Sequence, residues 1–154
     1  MPAIAEQTVH SLEVLRDELI AATPEIVFES ILEQMGPGCE EPDSTHLPMV
    51  LEPWPGGRWF RDLGNNAGHL WAHVQAIKPP ALLELYGPMF LSFPVTSNIQ
   101  YRLSAQEDGR TRLLFTHRML GMIPPELQDG VAVNHGWTNM IDGIRKRAES
   151  RTNR

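Results

Sequence analysis

Residues 98–119 read NIQYRLSAQEDGRTRLLFTHRM, and the reading of this stretch decides the fold. Ile99, Tyr101 and Leu103 alternate with Gln100, Arg102 and Ser104, while Leu113, Phe115, His117 and Met119 alternate with Leu114, Thr116 and Arg118. A period of two puts each set on one face of a strand, and the first set of each strand is expected to be buried. Glu107-Asp108-Gly109 lies between them, and Asp-Gly accepts the positive φ that a tight hairpin needs. Two long antiparallel strands sharing an apolar face are predicted.

Towards the N-terminus the same grammar repeats. Met49–Trp54, Pro55-Gly56-Gly57 and Arg58–Leu63 read as a hairpin. After the turn at residues 64–68, His69–Ile77 is a strand, Lys78-Pro79-Pro80 a turn, and Ala81–Tyr86 another strand. Residues 8–22 are partly alternating and read as an opening strand. Thr23-Pro24-Glu25 then starts a helix: Thr23 caps, Pro24 suits the first helical position, and Glu25 sits where the helix dipole favours an anion. Val27, Phe28, Ile31, Leu32 and Met35 recur on one helical face until Gly36-Pro37-Gly38 ends the run. The polar stretch from Cys39 to Pro48 has no period and is a loop of a length usually kept for a purpose, such as covering a pocket, or else an ordinary surface connection. Met89-Phe90-Leu91-Ser92-Phe93-Pro94-Val95 bridges two strands, as an adaptable pocket mouth or as edge packing.

Towards the C-terminus, Trp137, Ile141, Ile144 and Ala148 recur at helical spacing after Pro124-Pro125-Glu126. Leu127 opens this helix, and Gly130, Gly136 and Gly143 weaken it, predicting a short first piece and a main piece from about Asn134. The fold class is therefore α+β: a curved antiparallel sheet of about six to seven strands on a long C-terminal helix, with a shorter helix near 24–35. A helix lying across a bent sheet must cover its apolar face yet seldom fills the space beneath, so a cavity is expected between them. One domain over 1–154 is expected, with a core of about 8–149 and a basic tail at 150–154.

Thirteen basic against nineteen acidic residues give a formal net charge of −6, which argues against nucleic acid and anionic membrane as partners. The basic residues Arg145, Lys146, Arg147, Arg151 and Arg154 gather at the end, either as cations complementing a helix C-terminus or as an anion-binding arm. Cys39 is the lone cysteine, so no disulfide forms within the chain and no cysteine cluster can hold a metal. The opening residues lack a signal-peptide pattern and no stretch is apolar enough to span a bilayer, from which a cytoplasmic protein is expected.

Five segments in order resemble the START-like or SRPBCC superfamily of helix-grip proteins, and within it the branch related to the activator of heat-shock-protein-90 ATPase. They are the opening strand with Ala22-Thr23-Pro24-Glu25-Ile26-Val27-Phe28, the Pro55-Gly56-Gly57-Arg58 hairpin, Val74–Pro80 with Leu82-Leu83-Glu84-Leu85, Thr111–His117, and Gly136-Trp137. The resemblance implies a cavity for a small hydrophobic or amphipathic molecule, with functions from carriage to polyketide cyclisation and no fixed catalytic set. The branch alone implies a chaperone-associated interaction module.

His69 and His73 would share a metal on a helix, but on a strand they lie about 13 Å apart and cannot meet one ion. No metal site and no cofactor are expected. Two faces of this strand compete for the interior: Leu70, Ala72 and Val74, or His69, Trp71, His73 and Gln75. If the second set faces outward, Trp71 calls for a partner subunit, and a homodimer follows. The candidate ligand-binding residues are Trp59, Trp71, His73, Tyr101, Phe115, His117 and Trp137. A cyclase or lyase would draw on His73 or His117 as acid or base and on Tyr101 to orient a carbonyl, although a buried histidine is more often a satisfied core residue. Arg58, Arg61, Arg102 and Arg118 are the sheet's cations, one of which could hold an acidic ligand at the mouth. Phosphate-loop, dinucleotide, Gly-x-Ser-x-Gly and His-Glu-x-x-His motifs are absent.

Overall fold

The computed structural model describes residues 3, 5–41 and 43–153, so Arg154 of the basic end lies outside it. The chain runs β1 (His10–Ile20), α1 (Pro24–Met35), β2 (Met49–Leu51), β3 (Arg58–Gly64), β4 (Ala67–Lys78), β5 (Leu82–Gly87), β6 (Val95–Ala105), β7 (Thr111–Gly121), a 3₁₀ turn (Pro125–Leu127) and α2 (Val131–Thr152). The strands form one seven-stranded antiparallel sheet in the order β1-β7-β6-β5-β4-β3-β2. This is the helix-grip α+β architecture. Strands β2 to β7 form a meander, and β1 closes onto β7 with His10 opposite Gly121 and Ile20 opposite Thr111.

The alternation of β6 and β7 translates directly into burial. Ile99, Tyr101, Leu103, Leu113, Phe115, His117 and Met119 are all buried. Removing one such large apolar side chain from water contributes about 1.5–3 kcal/mol, so this face is the energetic centre of the sheet. Helix α1 begins where its cap predicts: Thr23 Oγ1 accepts from the Ile26 N–H, and Pro24 takes the first helical position.

The C-terminal helix differs from the sequence expectation. The break falls at 128–130, where Gly130 adopts φ 75°, and α2 then runs without interruption from Val131 through Gly136 and Gly143. Tertiary packing outweighs the intrinsic cost of glycine. At Gly143 the reason is visible: a Cβ there would stand 2.5 Å from the Gln34 side chain, so the glycine lets α1 and α2 approach closely. Arg147 locks the same crossing, its Nε donating to Gln34 Oε1 at 2.6 Å and its Nη2 to the Gly38 carbonyl at 3.1 Å. Arg145 reaches back to β1, donating to the Leu19 carbonyl and pairing with Glu18. Arg151 lies within 3.5 Å of Ser30 Oγ. These described basic residues therefore fasten α2 to its surroundings. Among the described residues no helix is long and apolar enough to cross a membrane.

Candidate ligand-binding site

The two faces offered by the strand at 69–77 are reconciled by a β-bulge. Trp59 pairs with Ala72 but Phe60 pairs with Leu70, leaving Trp71 as an extra residue on β4. A bulge re-aims a side chain that strict alternation would send to the other face. Trp71 thus joins the buried Ala72 and Val74 on the inner side, its ring edge-on to Trp59 with centroids 5.1 Å apart. His73 points to the outer face. There it stacks on Tyr86 at 5.7 Å and its Nδ1 lies 3.1 Å from the Gly56 carbonyl.

Beside the bulge lies a cavity of about 170 Å³ under the first half of α2. Trp59 and Trp71 form its sheet wall, Val133, Gly136, Trp137 and Met140 its helix wall, Cys39 and Leu47 its loop wall, and Met89 and Phe90 its rim. The loop from 39 to 48 is held in place by the Glu40–His46 bridge and by the Leu47 N–H donating to the Cys39 carbonyl. Glu40, Glu41 and Asn139 complete the opening, with Glu41 and Phe90 exposed.

Two of the three indole N–H groups of this wall are paired away from the space, while Trp71 Nε1 is buried without a hydrogen-bond partner. Trp59 Nε1 donates to the Met35 carbonyl at 2.7 Å. Trp137 Nε1 donates to His117 Nδ1 at 2.8 Å, which places the imidazole proton on Nε2, facing Ser97 Oγ at 2.8 Å. Burial lowers the His117 pKa to about 4, so the ring is neutral at ordinary pH and occupied at both nitrogens. Burial likewise pushes the Cys39 thiol up to about 11, leaving it a small apolar group on the wall. The Tyr101 hydroxyl is fully buried without a hydrogen-bond partner, and burial raises its pKa.

Of the residues singled out from sequence, the structure brings Trp59, Trp71 and Trp137 together on the cavity wall. Phe115, Tyr101 and His117 form the layer behind: Phe115 packs on Trp137 at 4.5 Å and on Tyr101 at 5.0 Å. None of these three lines the space, and His73 is on the opposite face of the sheet. The four sheet arginines are also elsewhere, Arg58 paired with Glu52 and Arg118 with Glu13. His69 lies in a shallow depression with Arg61, apart from His73. Among the described residues no three His, Cys, Asp or Glu side chains converge as a metal site would require.

Sequence reasoning missed Cys39, Leu47, Met89, Val133 and Met140 as individual wall residues. The loop at 39–48 and the bridge at 89–95 carried the signal only as segments, because neither has a period that tells inward from outward residues. A wider trough of about 830 Å³ lies between the segment around Gln7 and Thr8 and residues 122–128. It is more open to solvent and less apolar than the cavity under α2, and a small-molecule site buries most of its ligand, so that cavity is the better candidate.

No protein-family model matches the chain, and no curated protein is significantly similar to it in sequence. Solved structures do match over nearly the whole length. A protein of unknown function from Staphylococcus aureus has a TM-score of 0.71 at 19% identity, covering 95% of this chain and 98% of its own. The Zhui aromatase/cyclase from Streptomyces sp. R1128 has 0.67 at 17%, covering 93% and 96%. Ara h 8.0201 has 0.64 at 12%, covering 93% and 99%. At such identities the likeness is one of fold, the helix-grip α+β arrangement described above.

Proposed function

We propose that the chain, acting as one START-like domain, binds a small apolar or amphipathic molecule in the cavity between α2 and the bulged strand β4. The observation that carries this reading is a partly enclosed space of about 170 Å³ whose walls are mainly aromatic and aliphatic, with the Trp59 and Trp137 N–H groups paired elsewhere and the Trp71 N–H left as a lone buried donor. An apolar cavity of about 150 Å³ engineered into another protein stays dry and takes up benzene, so ligands of one or two rings fit the dimensions here. The fold shared with an aromatase/cyclase keeps a cyclase reading in view, but His117 has both nitrogens engaged and stands behind Trp137. That arrangement favours binding over acid–base chemistry. The chaperone-associated reading has the sequence motifs alone in its support.

Calorimetric unfolding in the presence of one- and two-ring aromatic compounds tests the proposal. Stabilisation by a subset of them is expected, and it should weaken in Gly136→Leu, which adds a side chain at an exposed position bordering the cavity where nothing lies within 4 Å of an added Cβ. Absence of any stabilising compound, or equal stabilisation of the variant, would overturn it.

A further inference from the structure

The cavity has an electrostatic character that its shape alone does not convey. Four aromatic rings, Trp59, Trp71, Phe90 and Trp137, line it, and Trp71 stands between Trp59 at 5.1 Å and Phe90 at 6.0 Å, edge-to-face with both. Two acidic residues, Glu40 and Glu41, are among those that border it, Glu41 being exposed, while no lysine, arginine or histidine does. Elsewhere on the sheet, acids lie opposite arginines: Asp17 with Arg112, Glu13 with Arg118, Glu52 with Arg58. Among the described residues no cation lies within ion-pair distance of Glu40 or Glu41.

Building on the proposed cavity function, we infer that the preferred ligand is an arylalkylammonium: an aromatic ring held among the tryptophans, with its cationic nitrogen at the opening beside Glu40, Glu41 and the Phe90 ring. Aromatic faces present negative charge density to a cation, and carboxylates at the same opening add to it. A fully buried, unpaired ammonium would lose too much hydration, so the nitrogen stays where water and the carboxylates meet. The same features repel a carboxylate ligand; the one buried unpaired donor of the wall, Trp71 Nε1–H, is neutral and does not offset the two acids of the lining. The selectivity order is ammonium, then neutral alcohol, then carboxylate.

Titration calorimetry with 2-phenylethylammonium, 2-phenylethanol and 3-phenylpropanoate tests this order on the full chain at low ionic strength. The ammonium is expected to bind about tenfold tighter than the alcohol, with the carboxylate weakest, and the gap should narrow as salt is added. In Glu40→Gln/Glu41→Gln the ammonium should fall to within about twofold of the alcohol while the alcohol's own affinity holds. The single variant Glu41→Gln, at an exposed position, guards against a folding artefact and should give a partial loss. Equal binding of ammonium and alcohol, or a preference that survives in the double variant, overturns the ammonium assignment and leaves the cavity reading standing. Failure of all three probes to bind overturns the ammonium assignment, and the cavity reading then stands or falls with the wider aromatic panel.

Discussion

Trp137 Nε1 donates to His117 Nδ1 at 2.8 Å, and this one bond joins the helix wall of the cavity to the centre of β7. The indole face borders the cavity while its N–H is satisfied from behind, so the wall is apolar although it is built from a polar side chain. Ser97 on β6 completes the chain of contacts by holding the other imidazole nitrogen.

The first prediction concerns pH. In the unfolded chain His117 titrates near the ordinary histidine value of 6.5, and in the fold near 4 because burial penalises the charged ring. Above 6.5 neither state takes the proton, and the contribution is complete. As pH falls from 6.5 to 4 the unfolded state binds a proton that the folded state refuses, so stability drops, by about 3 kcal/mol at the lower end, and levels off below it. Urea unfolding across this window measures the slope, and His117→Gln should remove that portion of it.

A second prediction is a gain. Tyr101→Phe removes a fully buried hydroxyl that has no partner and keeps the ring packed on Phe115. Stability should rise by about 1 kcal/mol, read as a higher denaturant midpoint with an unchanged slope. A loss would show that the hydroxyl does pair in solution.

The glycines of α2 should respond in opposite directions. Gly143→Ala drives a Cβ into Gln34, which Arg147 holds in place, and should cost about 1–3 kcal/mol. Gly136→Ala meets nothing within 4 Å and should stabilise by about 0.5–1 kcal/mol. Thermal unfolding of the pair distinguishes close helix approach from general helix propensity.

Trp59→Phe tests the sheet wall. It deletes the donor to the buried Met35 carbonyl, leaving that acceptor unpaired and the ring partly in place. A loss of about 1–3 kcal/mol is expected in chemical unfolding, and Trp71→Phe, which breaks no hydrogen bond, should cost less.

The legible parts of this molecule are those where periodicity meets turn chemistry. The inward sets of β6 and β7, the Asp108-Gly109 turn and the Thr23-Pro24 helix start all follow from local rules, and they suffice for the fold class. Trp71 shows where such rules stop: its direction depends on one extra residue relative to β3, a property of the pairing of two strands and not of either sequence. His73 was equally plausible as a wall residue until the bulge separated it from Trp71. His117, Tyr101 and Phe115 were legible as buried, yet burial alone does not say whether a side chain borders a space or stands one layer behind it.

The placement of the tryptophans has a practical consequence. Of four, only Trp54 stands in solvent, 55% exposed, while Trp59, Trp71 and Trp137 border the cavity. Any occupant must touch the chromophores that dominate the intrinsic emission, so quenching or a spectral shift reports occupancy without a label. The molecule carries its own indicator at the one location where an indicator would be wanted.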